Sequence, residues 1–161
     1  MNDLIALVVA AAVCLAAAAI GAYATVRSLR DWYVALPKPS WNPPNSVFGP
    51  VWTVLYLAMA VAAWLVWRVR DSFDVLPALA WFTVQLVLNV LWSVSFFGLR
   101  SPLAGLVVIV LLWCAIVATI VVFAPISLLA AVVLAPYLAW VTFATALNAA
   151  IVMKARPLRL S

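Results

Sequence analysis

The ionisable side chains of this 161-residue sequence are so few, and so spaced, that they leave four long stretches without charge. Leu4 to Val26 is one (23 residues), Pro39 to Trp67 a second (29), Val75 to Leu99 a third (25) and Ser101 to Met153 the last (53). A bilayer core about 30 Å thick is crossed by roughly 20 apolar residues of helix. The first three stretches therefore hold one span each. The fourth holds two, with Pro125, Ile126 and Ser127 as the natural turn. The spacing predicts an all-α integral membrane bundle, one domain over 1–161, with spans at about 4–26, 46–68, 77–98, 104–124 and 127–152 and a loop at 27–45. A transmembrane barrel would need short alternating strands and turns instead of continuous apolar runs.

Composition closes the soluble alternative. Seventy per cent of the residues are apolar and 8 % are charged, against about half and roughly a quarter in soluble domains. The first stretch does not read as a cleaved leader, because Asp3 is the only charge before it and its apolar run is too long. Its alanines, with Gly21 and Ala22, offer a small-residue face. Such a face suits close packing within the bundle first and pairing of two chains second.

Charge also predicts orientation. With five spans, Arg68 and Arg70 fall on one side of the membrane, while Arg27, Arg30, Lys38, Arg100, Lys154, Arg156 and Arg159 fall on the other. The basic side, which includes the 27–45 loop and the C-terminus, is expected to be cytoplasmic in an inner membrane and to meet anionic lipid. No soluble basic face exists to take nucleic acid.

Several chemistries drop out. The chain has no His and no Glu. Cys14 and Cys114 lie in separate spans, so zinc and His-ligated haem are excluded and no metal is expected. All four aspartates lie outside or at the edges of the spans, which demotes proton relays and ion-coupled transport.

Aromatic residues remain, above all nine tryptophans. Trp32, Tyr33, Trp64, Trp67, Trp81 and Trp113 suit an interfacial belt or ordinary packing. Others align with polar groups at helical spacing: Phe48, Trp52 and Tyr56 on the second span, Gln85, Asn89, Trp92 and Phe96 on the third, and Tyr137, Trp140, Ala144 and Asn148 on the fifth. An amide facing lipid would cost a few kcal/mol, so Gln85 and Asn89 must face inward. Spacing leaves two roles equally open to them, hydrogen bonds between helices and polar anchors in an aromatic-walled pocket. The loop, stiffened by Pro37, Pro39, Pro43 and Pro44 and carrying Trp41, is expected to fold back as a lid over the bundle mouth.

These residues carry a resemblance. The run Trp32-Tyr33, Leu36-Pro37-Lys38-Pro39-Ser40-Trp41-Asn42-Pro43-Pro44, Val47-Phe48-Gly49-Pro50-Val51-Trp52-Thr53 and Tyr56 resembles the signature of the TspO/MBR family. That family comprises the tryptophan-rich sensory proteins of bacteria and the mitochondrial translocator protein. Gln85-Leu86, Asn89, Trp92 and Phe96-Phe97-Gly98 continue the match, as do Pro136-Tyr137, Trp140, Phe143 and Leu147-Asn148, so it runs the length of the chain and is nearest the bacterial branch. The resemblance implies a five-helix bundle in a bacterial membrane, inner or outer, often a homodimer. Its ligands would be porphyrins such as protoporphyrin IX and isoquinoline- or benzodiazepine-type molecules, with no further cofactor. Carried over by motif, Trp52, Asn89 and Trp140 form the pocket, with Tyr33, Phe48, Trp92, Phe96, Tyr137, Ala139 and Ala144 around it. Two alternatives to a sensor or regulator stay open: light-driven porphyrin breakdown, reported for some bacterial members, which would make Trp52 and Trp140 the reactive residues, and transport of porphyrin or sterol. The mitochondrial branch's sterol pattern needs an aromatic before a base, and residues 148–153 supply none ahead of Lys154, so sterol binding is expected to be weak.

Overall fold

The computed structural model describes residues 2–155, and five of its helical segments are long and apolar enough to cross a membrane. Helix α1 (Asp3–Arg30) is capped by the Asn2 side chain, which accepts from Leu4 N at 3.0 Å. A one-turn helix α2 (Trp32–Ala35) sits inside the loop that follows. Then come α3 (Asn45–Trp67) and α4 (Leu76–Ser93), which widens into a π-helical turn at Val94–Gly98. Helix α5 (Pro102–Phe123) starts on a Ser101 cap with proline in its first turn, where the missing N–H has no partner to lose. The last span is α6 (Leu128–Val133) followed by α7 (Ala135–Ala155).

Two boundaries differ from the expected ones. Helix α1 runs on to Arg30, so the loop is shorter than 27–45, and its first part is the helix α2. The fifth span, expected to be continuous, breaks at Leu134. The cause is Pro136, which has no N–H to donate and whose ring collides with the carbonyl four residues back.

Helix α1 packs on α3 and α4, α4 on α5, and α5 on α7. Helix α6 returns to α3, and ring contacts between α3 and α7 close the bundle. The buried face of α1 is Ala6, Cys14, Ala17, Gly21 and Ser28, a helical stripe of small side chains. Ser28 fastens it by donating to the Phe97 carbonyl in the π-turn. Ala12, Ala16 and Ala19 face outward. Opposite, Gly105 lets α5 approach the π-turn, because a Cβ there would lie 2.7 Å from the Phe96 ring.

The two ends of the bundle differ. At one, Asp3 pairs with Arg68 and Arg70 (3.6 and 3.3 Å), and Trp64 Nε1 donates to the Asp3 carbonyl at 2.9 Å. The N-terminus and the 68–75 connection therefore share an end. The other end holds the 31–44 loop and the turn after the π-segment, where Arg100 takes φ 53°. Arg156 and Arg159, counted in the basic side, lie outside the described residues.

Candidate functional site

At the middle of the bundle, polar side chains form one chain of hydrogen bonds. Tyr56 Oη donates to Asn89 Oδ1 at 3.1 Å, Asn89 Nδ2 donates to Tyr137 Oη at 2.7 Å, and Tyr137 Oη donates to Gln85 Oε1 at 2.9 Å. Gln85 Nε2 ends on the Met59 sulfur at 3.8 Å. All of these residues are buried, Gln85 and Asn89 to 1 % exposure. The chain joins α3, α4 and α7, which is what unsolvated amides and phenols demand.

Directly above it lies a cavity of about 400 Å³ between α1, α3 and α4. Phe48, Trp52 and Tyr56 line it from α3, Asn89, Trp92 and Ser93 from α4, and Phe97 from the π-turn. The Trp52 ring lies 5.8 Å from those of Trp92 and Tyr56 and 6.3 Å from that of Tyr137. The remaining wall is α1, through Ala18, Gly21, Ala22, Thr25, Val26 and Leu29. Ala22 and Val26 on α1 and Asn45, Ser46, Gly49 and Thr53 on α3 are exposed, so the cavity opens between these two helices.

Of the ten residues expected at the site, Phe48, Trp52, Asn89 and Trp92 line this cavity. Tyr33 and Phe96 belong to the aromatic cluster beside it, with Tyr33 against Phe48 (6.4 Å) and Phe96 against Trp92 (6.2 Å). Tyr137 stands behind Trp52 and Asn89. Ala144 is buried but does not reach the cavity, and Trp140 packs on Phe48 (5.9 Å) and Phe143 (5.5 Å). Ala139 does not join them. It is exposed, two residues from the inward-facing Tyr137 and Val141 and thus about 200° around α7 from each. Its expected place in the wall is corrected by that register.

The 31–44 loop lies against the end of the bundle. Tyr33 Oη donates to Asn42 Oδ1 at 2.8 Å, Trp41 lies 5.8 Å from Phe143, and Lys154 Nζ donates to the Lys38 carbonyl at 3.2 Å. Lys38 Nζ donates to the Tyr33 and Val34 carbonyls and sits 4.7 Å over the Tyr33 ring. Burial pushes the Tyr33 phenol up to about 12, with the Asn42 hydrogen bond pulling the other way. No residue of 31–44 lines the cavity.

The α1 wall and Ser93 were missed by sequence reasoning. Alanine and glycine announce no chemistry, and Ser93, although four residues after Asn89 on the same face, carries a hydroxyl that a helix can satisfy with its own carbonyls. The small-residue face was the available signal, because small side chains leave room for a ligand as readily as for a helix.

Comparison with known proteins bears on all of this. The TspO/MBR family matches residues 10–153. The tryptophan-rich protein TspO of Chlorobaculum tepidum is 44 % identical over 151 residues, covering 91 % of this chain and 94 % of that protein. The human translocator protein is 47 % identical over 120 residues, 73 % of this chain and 70 % of its own length. The tryptophan-rich sensory protein of Cereibacter sphaeroides is 41 % identical over 134 residues, 81 % and 83 % of the two chains.

Proposed function

The chain belongs to the TspO/MBR family, and on that premise we propose that it is a membrane receptor for tetrapyrroles of the protoporphyrin IX type, acting as a sensor or regulator that also takes isoquinoline- and benzodiazepine-type ligands. The observation that carries this reading is the aromatic cavity of about 400 Å³, with Trp52, Trp92 and Phe48 around a polar floor. Ligand sites are concave and mostly apolar, with a few fixed polar groups. A flat macrocycle can stack on indoles, and its carboxylates can reach the end that carries Lys38, Arg27 and Arg30. A mouth between α1 and α3 suits a ligand dissolved in the membrane. Titration of the purified protein with protoporphyrin IX, followed by tryptophan fluorescence, tests the reading. Saturable quenching supports it, and its absence in both light and dark sinks it.

A second reading is a light-driven porphyrin-degrading enzyme, favoured by an oxidisable indole, Trp52, on the cavity wall. Loss of the porphyrin absorbance under light, with a new mass among the products, would select it. Orientation belongs to the proposal as well. The basic end, with the lid and the C-terminus, faces the cytoplasm in an inner membrane. A reporter active only in the cytoplasm should work after Ser161 and fail after Asp3, and the reverse pattern would invert the topology.

A further inference from the structure

A second cavity, of about 240 Å³, lies at the opposite end of the bundle and shares no residue with the first. Its walls are apolar. Val9, Ala10 and Val13 line it from α1, Trp64 and Trp67 from α3, and Thr83 from α4, whose hydroxyl is spent on the Leu79 carbonyl at 2.8 Å. No ionisable side chain lines it. Val9, Val13 and Thr83 are exposed, so it opens on the outer face of the bundle between α1 and α4. From Asp3, where α1 begins, to Val13 the helix rises about 15 Å, half of a bilayer core about 30 Å thick. The cavity thus spans the depth of one leaflet.

Its indoles carry the polar features. Trp64 Nε1 donates to the Asp3 carbonyl at 2.9 Å, whereas the buried indole nitrogen of Trp67 has no acceptor among the described residues. Buried donors are nearly always paired. The Arg68 guanidinium lies 4.8 Å over the Trp64 ring, and that of Arg70 lies 5.2 Å over the Trp67 ring. Both cations share the one carboxylate of Asp3, and Arg68 is half exposed. Asp71 stands 4.0 Å from Arg70 but is 87 % exposed, where solvent screens it. The rim is therefore short of negative charge.

We propose that this cavity seats one chain of a diacyl phospholipid from the leaflet opposite the 31–44 loop, with its phosphate on Arg68 and its ester carbonyl giving Trp67 the acceptor it lacks. The three parts of such a lipid meet their counterparts in order of depth: a cation at the rim, an N–H donor at the end of α3, and apolar walls below. The inference is independent of the porphyrin reading, which concerns the other cavity.

The test titrates the purified full chain with dioleoyl phosphatidylcholine and with its dialkyl ether analogue, which keeps the phosphate and both chains and loses the carbonyls. Native mass spectrometry counts the bound lipid. One molecule of the ester lipid should bind about threefold or more tightly than the ether, the scale of one hydrogen bond inside a membrane. Trp67→Phe should erase that preference and leave ether binding within about twofold of the wild type. Arg68→Gln should weaken both lipids alike. Ala10→Phe, which puts a ring in the seat of the chain, should abolish the tight binding of both while leaving protoporphyrin IX quenching as in the wild type. Unfolding midpoints establish that the variants are folded, and if Ala10→Phe is not, the Trp67→Phe comparison decides alone. Equal binding of the two lipids by the wild type, a preference that survives Trp67→Phe, or tight binding that survives Ala10→Phe overturns the proposal. So does tighter binding of oleate than of the phospholipid, which would give the cavity to a free fatty acid.

Discussion

Asn89 Nδ2 donates to Tyr137 Oη at 2.7 Å, tying α4 to α7 across the centre of the bundle. The same amide accepts from Tyr56, so α3 enters the bond network through one residue. Spacing alone had left Asn89 open between helix packing and ligand anchoring. In the structure it does what both roles require, bonding between helices and lining the cavity. Replacing Asn89 with Leu would remove two buried hydrogen bonds, leaving the Tyr56 hydroxyl without its acceptor while Tyr137 keeps its donation to Gln85. At about 0.6 to 1.7 kcal/mol for each hydrogen bond inside a membrane, the loss should be roughly 1–3 kcal/mol of stability. Unfolding in bicelles should show it, and an unchanged midpoint would mean that water or rearrangement replaces both bonds.

The five spans were legible because lipid admits so few ionised groups that thirteen charges mark nearly every boundary. The inward-facing stripe of Gln85, Asn89, Trp92 and Phe96 was legible for the related reason that an unpaired amide cannot face hydrocarbon. What escaped depended on single residues. Pro136 broke a helix within an uninterrupted apolar run. Ala139 changed faces because a motif match transfers identity without register. Helix α1 became one wall of the cavity, six of its seventeen lining residues, mostly through small side chains. The return of the loop onto the helix ends was legible from its prolines and Trp41, while the position of the cavity mouth was not.

That mouth yields a second prediction. A Cβ on Gly49 would meet nothing within 4 Å, so Gly49→Leu should fold normally while narrowing the gap between α1 and α3. Association and dissociation of protoporphyrin IX should both slow, by about threefold or more, with little change in affinity. That pattern distinguishes an entry path from a contact. Unaltered rates in stopped-flow quenching would move the entry path to the lid.

The lid should respond to a different variable. Burial holds the Tyr33 phenol protonated up to about 12, against an ordinary 10.0. A folded-state pKa raised in this way favours the seated lid below pH 10 and withdraws that support as pH climbs toward 12. A spin label at Ser40→Cys, with Cys14 and Cys114 replaced, should keep constant mobility from about pH 7 to 9 and gain mobility above about pH 10. Tyr33→Phe should raise the mobility at neutral pH and abolish the alkaline transition. A transition near neutrality in the wild type would place control of the lid in some other group.

The two family tryptophans now separate. Trp52 lines the cavity, within 5.8 Å of Trp92, whereas Trp140 lies outside it, packed on Phe48 and Phe143. Substitution by Phe keeps an aromatic face and removes the oxidisable indole. If the cavity receives the macrocycle, Trp52→Phe should cost about 0.5–1.5 kcal/mol of binding, the worth of a degraded stacking contact, and remove a large share of the quenching. Trp140→Phe should change affinity by less than about twofold. Its effect would pass through Phe48, on the same side of the cavity. Under illumination the contrast sharpens. Chemistry that starts by oxidising an indole in contact with the ligand needs Trp52 and tolerates loss of Trp140, so porphyrin breakdown, where it occurs, should vanish only in the first variant. Equal loss in both would mean that the bound ligand reaches Trp140, which requires the packing of Phe48 against Trp140 to open on binding.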